Sequence, residues 1–196
     1  MQKIILITGG QRSGKSSYAQ KLALSLSPNP VYLATSAVWD EEHRQRIEHH
    51  KRDRGAEWTN IEELTELQNI YVQGKVVVID CITLWSTNFF NNSNGDVQAS
   101  LSAIIDRFNQ FVQQDATFIF VTNEIGLGGI SVNDLQRQFT DLIGWVNQHI
   151  AERTDEMVLM VSGIPVYIKK NYKSIYYATT NIQHRIARKA NCSLSY

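Results

Sequence analysis

A chain of 196 residues, 43% hydrophobic and 19% charged, has the make-up of a soluble globular domain with one sizeable core. Lys and Arg number 19, as do Asp and Glu, so the formal net charge of zero gives no general pull toward nucleic acid or an anionic membrane. The two cysteines, Cys81 and Cys192, lie far apart without metal-ligand spacing, which argues against a disulfide framework or a zinc module. No apolar run approaches the roughly 18 residues that span a bilayer. The first apolar stretch, Ile4 to Ile7, is too short for a signal peptide, so the cytoplasm is the expected location, with no membrane span.

In chain order, Ile4–Ile7 reads as the first strand. A helix-like stretch from Ser17 to Leu26 follows a glycine-rich turn. Further apolar, β-rich runs occupy Pro30–Thr35, Lys75–Asp80, Thr117–Thr122 and Glu156–Val161. They are continuously apolar, as strands buried on both faces should be. Helical spacing places Leu101, Ile104, Ile105, Phe108 and Phe111 on one stripe of Val97–Gln113. It does the same for Leu135, Phe139, Leu142, Ile143, Val146 and Ile150 within Asn133–Arg153. Alternating β and α segments predict a doubly wound, mostly parallel sheet with helices on both faces. Ligands of such sheets bind at the carboxyl ends of the strands. The domain is expected over residues 1–170. The polar stretch 171–196 reads as a C-terminal extension, either part of that domain or a flexible tail. Its bases, Lys173, His184, Arg185, Arg188 and Lys189, are those of a solvated helix or of a contact to substrate or a neighbouring subunit.

The turn after the first strand is Gly9-Gly10-Gln11-Arg12-Ser13-Gly14-Lys15-Ser16. It fits G-x-x-x-x-G-K-[ST], the phosphate-binding P-loop. The physical device is a buried strand, a turn whose backbone N–H groups surround phosphate oxygens, and a helix N-terminus whose dipole favours negative charge. Lys15 reaches the β- and γ-phosphates, and the Ser16 hydroxyl suits Mg²⁺. A plain glycine turn would explain the glycines but not the Lys-Ser pair. Asp80 ends the third apolar run, where P-loop proteins carry a carboxylate for Mg²⁺; the alternative is a turn-capping aspartate. Thr122-Asn123-Glu124-Ile125-Gly126-Leu127-Gly128-Gly129 follows the fourth run, either as a ligand-approaching loop or as an ordinary turn. The charged segment Trp39–Trp58 holds His49-His50-Lys51. Exposed histidines in such a helix are usually only solvated, yet a neutral imidazole near an α-phosphate can form a phosphoramidate.

The segments ITGGQRSGKSSYAQ, VYLATSAVWDEEHRQRIEHHKRDRGAEWTNIE, IDCITLWSTNFF, VTNEIGLGG and FTDLIGWVNQHIAERTDEMVLMVSGIPVYIK, read together, resemble a known family. It is the bifunctional adenosylcobinamide kinase / adenosylcobinamide-phosphate guanylyltransferase family of cobalamin biosynthesis. The resemblance runs from Ile4 to about Lys169. It implies a P-loop, RecA-like fold and two reactions. One phosphorylates adenosylcobinamide with ATP or GTP. The other transfers GMP from GTP to adenosylcobinamide phosphate through a guanylyl-histidine, which aligns with His49; His50 is the neighbouring competitor. The resemblance further implies nucleotide contacts at Ala34, Thr35 and Ser36, at Lys51, Arg52, Asp53 and Arg54, and at Glu62, besides Gly9 to Ser16 and Asp80. It also implies a homotrimer with sites near subunit boundaries. The chain departs from the family at Ser131, where proline is usual, and after Lys169 it has no matching counterpart. Two other readings stay open: a different small-molecule P-loop kinase, and a nucleotide-switched assembly module without turnover.

Overall fold

The computed structural model describes residues 2–37 and 54–170. Their strands form one seven-stranded sheet in the order β3-β2-β4-β5-β1-β6-β7. The strands are β1 (Lys3–Gly9), β2 (Val31–Ala34), β3 (Thr59–Glu62), β4 (Val76–Asp80), β5 (Thr117–Val121), β6 (Glu156–Val161) and β7 (Ile164–Lys170). All neighbours are parallel except β6 and β7. The helices are α1 (Lys15–Leu26), α2 (Ile82–Asn92), α3 (Val97–Phe111) and α4 (Asp134–Arg153). The expected mostly parallel sheet with helices on both faces is therefore the observed architecture.

Alternation along the central strands builds two cores. Ile4, Leu6, Val77, Ile79, Phe118 and Phe120 face one side, packed with residues of α2, α3 and α4. Ile5, Ile7, Val76, Val78, Ile119 and Val121 face the other, with Ala19 and Ala23 of α1. Both sets are buried, which is why these strands read as unbroken apolar runs. A fully buried side chain of this size contributes about 1.5–3 kcal/mol. A surface ion pair such as Lys3–Glu156 or Arg107–Glu66 contributes about 0–1 kcal/mol, so packing dominates the fold's stability.

Local chemistry sets the helix ends. The Asp96 carboxylate accepts the Ala99 N–H at 2.9 Å to start α3. The Asn133 side chain accepts the Gln136 N–H at 3.0 Å to start α4. The helix predicted from Ser17 begins two residues earlier, because the P-loop turns directly into α1. Two strands were not anticipated. β3 is a polar edge strand, mostly exposed, and lacks an apolar run. β7 follows β6 through Ser162-Gly163, both at positive φ (50° and 83°), as a two-residue hairpin turn requires. Pro165 suits β7 to its edge position. No helix among the described residues is long and apolar enough to cross a membrane.

Candidate functional site

The carboxyl ends of β1, β2, β3, β4 and β5 share one edge of the sheet, and the sequence-predicted residues within the described range collect there. Gly9 ends β1 at φ 148°. A Cβ on Gly9 would lie 2.5 Å from the Met160 carbonyl oxygen and 2.8 Å from Ser13 Oγ, so only glycine fits. Arg12 (φ 56°) and Gly14 (φ 92°) complete the tight curl into α1. The β6–β7 hairpin braces this loop, with Gly163 N–H donating to the Ser13 carbonyl at 3.0 Å. Ser13 Oγ is buried and has no hydrogen-bond partner among the described residues. An orphaned hydroxyl inside a loop of this shape is what a bound phosphate oxygen would satisfy.

Lys15 is buried, and its Nζ crosses the loop to donate to the Gly10 carbonyl at 2.6 Å. Burial lowers its pKa from 10.5, while the neighbouring Cys81 and Asp80 oppose that shift. Ser16 occupies the first turn of α1 and is half-buried. Its hydroxyl and the Asp80 carboxylate are hard oxygen donors, the type Mg²⁺ prefers.

Asp80 ends β4 opposite Ala34 of β2. Its Oδ2 accepts the Tyr32 hydroxyl at 2.8 Å. Burial, then the Asp80 charge, pushes the Tyr32 pKa well above 10, so Tyr32 acts as a neutral donor. The Arg54 guanidinium stacks 3.7 Å from the Tyr32 ring centroid. Arg54 is buried, with Nε donating to Asn60 Oδ1 at 2.7 Å and Nη1 without a described partner. Tyr32 was missed because a tyrosine in an apolar run reads as core. Its signal was an odd polar tip one strand away from a carboxylate-ended strand.

Ala34, Thr35, Ser36 and Glu62 also lie on this edge. Ala34 pairs in register with Glu62, and Thr35 N–H donates to the Asp80 carbonyl at 3.3 Å. Thr35 is fully buried, and its hydroxyl donates to the Cys81 carbonyl at 2.8 Å. Asn88 Nδ2 holds the Thr35 carbonyl at 2.8 Å. Thr35 thus ties the segment leaving β2 to the β4–α2 junction and to α2 itself. Cys81 is a core thiol, with its pKa pushed up to about 12 by burial. His49, Lys51, Arg52 and Asp53 lie outside the described residues, as does His50.

The loop after β5 is tied to the P-loop. Glu124 N–H donates to the Gly9 carbonyl at 3.2 Å, and its Oε1 accepts from Thr8 Oγ1 at 2.7 Å. Asn147, buried on α4, accepts from Thr122 Oγ1 at 2.8 Å and donates to the Asn123 carbonyl at 3.2 Å. Farther along, Ser131 Oγ accepts the Asn133 N–H at 3.1 Å and bonds Gln136 Oε1 at 2.8 Å. Serine at 131 thus supplies hydroxyl contacts that proline could not.

Residues 5–168 match the family model described as cobinamide kinase / cobinamide phosphate guanyltransferase. The chain is 36% identical over 181 residues to the bifunctional adenosylcobalamin biosynthesis protein CobU of Escherichia coli, covering 85% of this chain and 99% of that protein. It is 34% identical over 173 residues to CobP of Pseudomonas aeruginosa, of the same description, covering 84% and 96%. Among solved structures it is similar to the flagellar accessory protein FlaH from Methanocaldococcus jannaschii, at TM-score 0.45 and 15% identity over 87% of this chain and 79% of that one. A family match spanning nearly all of the sheet and its P-loop, with relatives alike over almost their full length, makes this chain a member of the cobinamide kinase / cobinamide phosphate guanyltransferase family.

Proposed function

We propose that the protein carries out two successive reactions at one nucleotide site. It phosphorylates the aminopropanol hydroxyl of adenosylcobinamide with ATP or GTP. It then transfers GMP from GTP to the new phosphate, giving adenosylcobinamide-GDP and pyrophosphate. The observation that carries this reading is a built P-loop, with orphaned Ser13 Oγ and buried Lys15, beside Asp80 in a member of this family. Residues 1–170 make up the catalytic domain in this reading, supported by the match over residues 5–168. A cytoplasmic location is part of the same reading, because ATP, GTP and the corrinoid substrate must meet there. So is a homotrimer, which the family resemblance implies; edge strand β7, with Ile164, Val166, Tyr167 and Ile168 exposed among the described residues, offers a surface for association. Light scattering should then give three times the 22.3 kDa chain mass, and a monomer mass would refute it.

In the kinase step, backbone N–H groups of Gly9 to Ser16 and the Lys15 amine hold the triphosphate. The substrate hydroxyl oxygen attacks the γ-phosphorus, the bond from that phosphorus to the β–γ bridging oxygen breaks, the nucleoside diphosphate leaves with its electrons, and the hydroxyl proton passes to solvent. In the guanylyl step, an imidazole nitrogen of His49 attacks the α-phosphorus, and pyrophosphate leaves with the electrons of the α–β bond. An oxygen of adenosylcobinamide phosphate then attacks the same phosphorus, and the N–P bond breaks to restore His49. Arg54, five residues beyond His49 in the sequence, stacks on Tyr32 at the Asp80 edge. Lys51, Arg52, Asp53, Ser36 and Glu62 complete the nucleotide contacts in this reading. Incubation of the protein with adenosylcobinamide and GTP should yield the phosphate and then the GDP derivative. Nucleotide hydrolysis with unchanged corrinoid would favour a switch module instead.

Mg²⁺ held by the Ser16 hydroxyl and Asp80 would offset charge on the phosphate oxygens. Tyr32 is a positioning residue for that carboxylate. Tyr32→Phe should raise the Mg²⁺ needed for half-maximal turnover by roughly 10-fold or more, since partners that orient metal ligands have effects of that size. An unchanged Mg²⁺ requirement would show that the Tyr32–Asp80 bond is only structural.

A further inference from the structure

The loop joining β5 to α4 leaves the P-loop at Glu124 and then presents apolar side chains to solvent. Leu127 is 76% exposed, Ile130 91%, Val132 97% and Leu135 58%. Behind them lies a shallow cavity of about 280 Å³ between α2 and the start of α4, lined by Thr87, Phe90, Asn133, Leu135, Gln136 and Phe139. The loop is held in place: Arg137 Nη1 donates to the Ser131 carbonyl at 2.9 Å and the same guanidinium pairs with Asp134. Holding several large apolar groups out in water is unfavourable unless something covers them.

The charge on this surface selects what that is. From Thr122 to Gln136 the sequence contains Glu124 and Asp134 but no Lys or Arg. The next cation, Arg137, is already engaged. Such a surface does not attract phosphate, nucleotide or nucleic acid. It suits a large, uncharged or cationic ligand with apolar faces. Its other end is bonded directly to the P-loop through Glu124 and Gly9. A ligand lying on it would therefore deliver a hydroxyl or phosphate arm to the triphosphate.

We infer that the Leu127–Leu135 loop and the cavity behind it form the acceptor platform, binding the macrocyclic face of the corrinoid. This inference rests on the proposed corrinoid-modifying function. An amide-fringed corrin ring bearing a cobalt cation meets both requirements, apolar faces and no negative charge.

The test uses the full chain and adenosylcobinamide itself, with binding followed by equilibrium dialysis and corrin absorbance. The double variant Ile130→Ser/Val132→Ser replaces two exposed side chains, so the core packing is untouched. Its corrinoid affinity should fall about 10-fold or more, with a matching rise in the corrinoid KM, because several apolar contacts are lost together. Its GTP affinity should match that of the unaltered protein. Unchanged corrinoid affinity would overturn the platform. So would a variant whose only change is oligomeric mass, because a second copy would then be the occupant. Formation of a GMP adduct by the unaltered protein, without corrinoid, tests the guanylyl-transfer reading separately. Corrinoid binding without that adduct would refute the reading while the platform is still judged by the variant.

Discussion

Lys15→Ala should slow both phosphoryl transfer and guanylyl transfer, each by roughly 10²–10³-fold, the usual cost of removing a preorganised charged donor from a developing phosphate charge. In the proposed scheme the two reactions break different bonds of the triphosphate, yet both need it seated in the same loop. The Lys15 amine, next to Asp80, is a buried cation held across that loop against Gly10. Loss of one activity with the other at full rate would require two nucleotide sites and contradict the shared-site account. The variant should still fold. Burial disfavours the charged amine and lowers its pKa, so the charge works against the folded state at neutral pH. That penalty fades as pH rises through the lowered folded value toward 10.5, and alanine removes it altogether. Thermal unfolding at neutral pH should therefore show no loss beyond about 1 kcal/mol, the worth of the Gly10 hydrogen bond.

His49→Ala should abolish guanylyl transfer and leave the kinase step within a few-fold of its normal rate. In the proposed scheme only the former forms a covalent bond to the protein; phosphoryl transfer to a hydroxyl rests on positioning and charge. The assay is product analysis with adenosylcobinamide and GTP: the variant should accumulate adenosylcobinamide phosphate and no GDP derivative. Continued formation of the GDP derivative would move the nucleophile to the adjacent His50 or remove the covalent step.

The central sheet was legible because its chemistry is repetitive. Ile4–Ile7, Val76–Ile79 and Phe118–Val121 are buried on both faces, so each reads as an unbroken apolar run. The P-loop was legible because Gly9, Gly14 and Lys15 each fill a distinct place: close approach to Met160, a left-handed turn, and an amine reaching across the loop to Gly10. The edge strands were not legible. β3 buries little, and β7 carries a proline and faces solvent, so burial left no pattern in either. A reader weighing Ser162-Gly163 as a hairpin turn between two β-rich segments would have found β7. Long-range polar pairs were beyond reach for another reason. Tyr32 and Asp80, 48 residues apart, meet only because β2 and β4 pair in parallel register. Asn147 meets Asn123 only because α4 crosses the end of β5. No local spacing encodes either contact. The histidine was singled out by resemblance, since His49-His50 in a charged stretch carries no decisive signal of its own.

The most direct test of the central claim is the intact mass of the protein after incubation with GTP and Mg²⁺, with ATP in a parallel sample. The account predicts an acid-labile gain of one GMP with GTP only, mapping to His49. Absence of any adduct in protein that still transfers phosphate to the corrinoid would contradict the guanylyl-histidine and leave a plain P-loop kinase.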